Sequence, residues 1–167
     1  MNRPKRWLAA AALGASAIFG FPQTALSRSS TKVQWTRIDV PEGKDSARLA
    51  KLLKSLLAQA AKKADFGKLK SVKLSARIVS FSSVEKGDVL QVSCTIGGKL
   101  EGGPGARSHI SFGGSPKERA QLEKQVLTMV ANGLVTRLAE MAKSKMEREE
   151  AAKKKAEEEA ADEDSGE

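Results

Sequence analysis

The sequence predicts an α+β domain of two layers: a sheet of about four mostly antiparallel strands with two helices on one face, in the order β-α-β-β-β-α, followed by a charged tail. Three observations predict it. Residues 45–63 repeat apolar side chains at helical spacing, three later segments alternate apolar and polar residues with the period of a strand, and Ser115-Pro116-Lys117-Glu118 opens a second helix.

The first strand is expected over Val33 to Val40, rich in β-branched and aromatic residues and stopped by Pro41-Glu42-Gly43. Its apolar residues fall at Val33 and Trp35, then at Ile38 and Val40, a break in alternation that predicts a bulge or burial on both faces. From Asp45 to Lys63 the apolar positions 49, 52, 53, 56, 57 and 60 form one helical stripe, with Arg48, Lys51, Lys54 and Lys62 elsewhere round the wheel. Asp45 or Ser46 is expected to cap this helix, and Asp65-Phe66-Gly67 to end it.

Between Leu69 and Ser82, Val72, Leu74, Ala76 and Ile78 are apolar while Ser71, Lys73, Ser75 and Arg77 are not, so one face of this strand is wet and basic. Glu85-Lys86-Gly87-Asp88 turns the chain into the next strand, Val89 to Ile96, whose even residues Leu90, Val92, Cys94 and Ile96 point inward. The glycine-rich stretch Gly97 to Gly105 reads as a flexible hairpin loop. After it, Ala106 to Phe112 is expected to set Ile110 and Phe112 on one face and Arg107, His109 and Ser111 on the other, as the third strand of a meander. Ser115 as cap, Pro116 at the first helical position and Glu118 three residues after the cap form a specific helix start. The helix that follows carries the stripe Leu122, Val126, Met129, Val130, Leu134, Leu138 and Met141, with Gly133 allowing close approach to the sheet.

Both ends differ from this domain. Residues 1–27 have a basic start (Arg3, Lys5, Arg6), an apolar run from Trp7 to Phe21 and a polar end with Ala25 and Ser27 before a cleavage point, the pattern of a secretory signal. The run is shorter than the roughly 20 residues a membrane-spanning helix needs, so a cleaved leader and an exported chain, periplasmic or secreted, are expected, with no span in the mature chain. One domain then occupies residues 28–142, with 20 basic and 10 acidic residues; the low-complexity tail, 143–167, has 6 basic and 10 acidic. Pairs four apart, such as Glu149/Lys153 and Lys154/Glu158, support a solvent-exposed helix by about 0.2–0.5 kcal/mol each. The tail is therefore expected to be helical at first and disordered at its end, where its acidic residues could fold back on the basic domain.

The inventory bounds the chemistry. One His, one Cys and no Tyr exclude a His-based metal cluster and the commonest acid–base constellations; no Gly-x-Ser-x-Gly elbow, Gly-x-Gly-x-x-Gly or P-loop occurs. No catalytic residue, metal or cofactor is assigned; a small hydrolase-like enzyme using His109 is disfavoured. Cys94 cannot form an internal disulfide and reads as a small buried hydrophobe.

A binding function through the open, basic sheet face is the preferred reading, with Lys73 and Arg77 at its centre. A narrower expectation is an anion site in which Arg107 and His109 lead into Gly113-Gly114-Ser115 and the N-terminus of the second helix. Nucleic acid is disfavoured: Trp35, Phe66, Phe81 and Phe112 are the only aromatic residues after the leader, and three of them occupy expected core positions. For an exported chain, the partners to expect are an envelope protein, an envelope polyanion or anionic lipid headgroups at a membrane surface. The alternative is an accessory protein whose charged tail makes the contact. The element order is similar to that of small envelope adaptor domains, such as the amino-terminal domain of the Tol system's propeller protein and the lipoprotein activators of cell-wall synthases. That resemblance covers element order only and assigns no site residue.

Overall fold

The computed structural model of the chain describes residues 31–163; the leader expected over residues 1–27 and the last four residues lie outside the described part. The elements are β1 (Lys32–Asp39), α1 (Ser46–Lys63), β2 (Ser71–Lys86), β3 (Val89–Leu100), β4 (Gly105–Gly114), a 3₁₀ turn (Pro116–Glu118) and α2 (Arg119–Glu163). They build the α+β architecture expected. The strands lie in the order β1-β2-β3-β4. β1 runs parallel to β2, as the crossover through α1 allows, and the remaining pairs are antiparallel hairpins. No helix among the described residues is long and apolar enough to cross a membrane.

One apolar core lies between the sheet and both helices. α1 contributes Leu49, Leu53, Leu56, Leu57 and Ala60, β2 contributes Val72, Leu74, Ala76 and Ile78, and β3 contributes Leu90, Val92, Cys94 and Ile96. α2 buries more than the expected stripe. Leu127, Ala131, Val135, Ala139 and Ala142 are buried beside Leu122, Val126, Val130, Leu134 and Leu138, because this helix packs on α1 as well as on the sheet. Met129, placed in the stripe by its spacing, is exposed instead. The two helices are also tied by an ion pair, Arg48 Nη2 to Glu123 Oε2 at 2.9 Å, in which the carboxylate is buried and the guanidinium half exposed.

Two bulges adjust the strands. In β1 the register skips Thr36, so Trp35 faces Leu74 and Ile38 faces Ala76 on the core side, and the Thr36 hydroxyl donates to the Leu74 carbonyl at 3.1 Å. In β2 the skip falls between Ile78 and Ser80, leaving Val79 exposed and passing the inward alternation to Phe81. The β2–β3 turn is Gly87-Asp88, with a positive φ of 59° at its first residue only, the pattern of a two-residue type II′ hairpin loop.

Three local expectations are corrected. Asp45 is the N-cap residue of α1, yet its side chain makes no capping bond; the carboxylate is drawn to Arg48, three residues on. Gly97, Gly98 and Gly105 are not loop residues: β3 continues to Leu100 and β4 starts at Gly105, leaving only residues 101–104 as the turn. Gly98 is in the strand because α2 lies on it; a Cβ there would stand 3.0 Å from both Leu134 Cδ2 and Leu138 Cδ1. Phe112 is on the core side but 38% exposed, since it lies at the end of an edge strand.

Candidate functional site

The sheet face away from the helices is uncovered, and its composition follows from strand alternation. Residues 73, 75 and 77 of β2, 91 to 99 (odd) of β3 and 105 to 113 (odd) of β4 share it. Cross-strand register then orders these side chains into rows. Asp39, Arg77, Gly97 and Arg107 form one row across all four strands, and Arg37, Ser75, Lys99 and Gly105 form the next. Ser80, Thr95 and His109 follow on the other side, then Ser82, Ser93 and Ser111.

The first two rows make the site. Gly97 has no side chain, so Arg77 and Arg107 flank a gap, their backbones about 10 Å apart at two strand spacings. Around it the surface forms an open concavity of about 610 Å³ whose charged lining is Arg37, Asp39, Arg77, Lys99 and Arg107. Four cations against one carboxylate leave an excess of three positive charges. Asp39 is engaged by Arg37 at 2.7 Å, which holds that guanidinium even more firmly protonated through the hydrogen bond and the adjacent charge. Arg77, Lys99 and Arg107 have no ion pair among the described residues. The Arg107 backbone is fixed from the helix side, where its carbonyl accepts from Arg137 of α2.

The residues expected from sequence divide accordingly. Arg77 and Arg107 come together across Gly97, whereas Lys73 lies further along β2 and pairs with Glu101 at 3.1 Å. Arg37 and Lys99 were missed: Arg37 returns to this face only through the bulge at Thr36, and Lys99 belonged to a stretch read as loop. His109 shares the face, with Nδ1 2.9 Å from Thr95 Oγ1. No described hydrogen bond or ion pair sets a carboxylate against its ring.

The narrower anion site is not formed as expected. Gly113 and Gly114 are β4 ladder residues opposite Gln91 and Leu90, and Gly114 lies under Leu122, where a Cβ would stand 3.0 Å from Cδ2. The Ser115 hydroxyl accepts from the Lys117 N–H at 3.3 Å, and the helix begins as a single 3₁₀ turn. Arg107 is six residues from Gly113 along an extended strand, about 20 Å away, so the two cannot hold one small anion.

Among the described residues no group of three or more His, Cys, Asp or Glu could hold a metal ion. Cys94 is fully buried, and burial pushes its thiol up to about 12, leaving no thiolate at neutral pH.

No family model matches the chain, and no curated protein matches it in sequence. Among solved structures it is similar to the N-terminal domain of Protein Y from Thermus thermophilus, with a TM-score of 0.37 and 14% identity over 66% of this chain and 97% of that one. It is also similar to PelC from Paraburkholderia phytofirmans, crystallised as a dodecamer, with a TM-score of 0.41 and 11% identity over 64% and 92% of the two chains. A minor lipoprotein from Acinetobacter baumannii gives a TM-score of 0.31 and 10% identity over 67% and 95%. At these scores the likeness is one of general architecture, and no site residue is carried over from it.

Proposed function

We propose that the chain is an exported, non-enzymatic binding domain that takes an acidic polymer on its open sheet face, at the concavity over Gly97. The observation that carries this reading is the row Arg77-Gly97-Arg107 with Lys99 diagonal to both, three cations with no ion pair among the described residues, round a floor without a side chain. Export is supported by the leader pattern of residues 1–27.

The exposure of these cations selects the ligand class. A solvent-exposed ion pair contributes about 0–1 kcal/mol, so one phosphate or carboxylate would bind in the millimolar range or weaker. A chain of anionic groups engages three or four cations with one loss of translational freedom. The cations lie within about one Debye length of one another, so their fields add. The lack of an aromatic platform on this face argues against bases as the groups recognised.

Binding of fluorescent poly-L-glutamate to the chain from residue 28 tests the reading. Arg77→Glu with Arg107→Glu is expected to weaken binding by at least about tenfold and to flatten its salt dependence. Lys51→Glu with Lys54→Glu, the same change of net charge on the exposed side of α1, is expected to leave it within about twofold. Equal losses from both changes would show that net charge alone is responsible and would overturn the site.

A further inference from the structure

We infer that the acidic C-terminal end of α2 in one copy of this chain occupies the arginine-lined concavity of a second copy. The inference rests on the proposed reading of the concavity and names its occupant. Seven of the last eleven residues, 157–167, are acidic and none is basic. That is the polymer of closely spaced carboxylates the site selects for, carried by the same chain.

The geometry sends this segment to a neighbour. α2 runs back along β4, with Leu122 over Gly114, Gly133 over Ser108, and Leu134 and Leu138 over Gly98. Its last described contact region is beside the β3–β4 turn, where Pro104 shares a cleft with Met141, Lys145, Arg148 and Ala152. From Ala152 the helix continues for eleven residues to Glu163, about 16 Å further along its axis, and residues 151–158 are exposed. The four residues beyond span at most about 14 Å. To reach its own concavity the end would have to return those 16 Å and then cross to the opposite face of the sheet. As α2 stands, residues 157–163 cannot make that contact in the same chain. A second copy is under no such restraint.

Joining the tail of one copy to the face of another is a heterologous contact, since the two surfaces differ. Each open assembly retains one free tail and one free face, so association grows with concentration and ends when a ring closes. The contact is made of exposed charges and is therefore lost at high salt.

Sedimentation equilibrium on the chain from residue 28, which retains every core residue, tests this. In about 50 mM salt the weight-average mass is expected to rise with concentration to at least about twice the monomer, and to return to monomer in about 500 mM salt. Removal of residues 157–167 is expected to leave a monomer at both salts, as is the pair Arg77→Glu and Arg107→Glu. Mixing those two chains, one with an intact face and the other with an intact tail, is expected to restore association but to stop it at a 1:1 complex. Lys99→Glu serves as an independent face variant should the double reversal fail to fold. A full chain that stays monomeric at low salt, or association that survives loss of residues 157–167, would overturn the inference. The poly-L-glutamate measurement on the tail-less chain separates the failures: binding there, with the tail-bearing chain monomeric at low salt, would refute the neighbour contact alone, and no binding would refute the site.

Discussion

Two adjacent glycines of β3 have opposite surroundings, and Ala at each should move stability differently. At Gly98 a Cβ would meet Leu134 Cδ2 and Leu138 Cδ1 at 3.0 Å and Leu134 Cδ1 at 3.2 Å, against an optimum of about 3.5–4.0 Å for carbon contacts. Leu134 and Leu138 are fully buried, so relief requires α2 to lift from the sheet by about half an ångström. Overpacking of this kind costs about 1–3 kcal/mol, and replacing a strand glycine returns about 0.5–1 kcal/mol, leaving a net loss of about 1–2 kcal/mol. For a domain of this size that is a fall in Tm of about 4–8 °C. At Gly97 the nearest side-chain atom would be Val79 Cγ2 at 3.5 Å, an ordinary contact, so Gly97→Ala is expected to leave Tm unchanged or raise it by about 2 °C. Thermal unfolding followed by circular dichroism reads both. Equal melting temperatures, or Gly97→Ala the less stable, would refute the placement of α2 over Gly98. Gly97→Leu extends the test to binding: a side chain filling the gap between Arg77 and Arg107 should lower poly-L-glutamate affinity without lowering Tm.

Arg48→Met should cost about 1–3 kcal/mol in urea unfolding by leaving the buried Glu123 carboxylate unpaired, and Arg48→Met with Glu123→Leu should recover most of it. Cys94 sets a pH dependence whose sign follows from its raised pKa. Between pH 9.0 and about 12 the unfolded chain releases a proton that the folded chain keeps, so stability falls as pH rises, by up to about 1.4 kcal/mol per pH unit, and Cys94→Ala should remove that component of the slope. Gly87→Ala, at a φ of 59°, should lose about 1 kcal/mol in the same assay by straining the hairpin turn. Ser115→Ala should lose about 0.5–1 kcal/mol with its bond to the Lys117 N–H.

The elements legible in the sequence were those whose signal is local and repeated. The inward residues of β2 up to Ile78, those of β3 from Leu90 to Ile96, and the buried face of α1 all lie where their period places them. Misreadings arose where a tertiary contact overrode a local signal. Gly97 to Gly105 has the composition of a loop, yet two of its glycines extend β3, and Gly98 is there because a helix of distant sequence needs the space. α2 shows the same limit: a single-sided stripe describes a helix on one surface, while this one is wedged between the sheet and α1, which buries Ala131, Val135 and Ala139 and leaves Met129 out. Half of the site was readable. Arg77 and Arg107 follow from alternation, but Arg37 reaches the face only through a bulge whose position the sequence marked without saying which residue it would turn outward.

The pair Gly97-Gly98 joins the stability of the domain to its proposed binding face. Alternation sends the two absent side chains to opposite sides of one strand, so the same dipeptide lets α2 settle on the sheet and leaves a gap between two arginines on the other surface. Neither role requires the other. A side chain at Gly98 acts on packing and reaches the cations only by displacing the sheet; one at Gly97 blocks the gap and touches no core residue. The floor of the concavity is a paired strand held on both sides by β2 and β4, with the Arg107 carbonyl tied to Arg137 of α2, so the cations project from a rigid backbone rather than from a mobile loop. A polyanion bound as proposed would lose its own freedom while the domain lost little beyond the motion of a few long side chains.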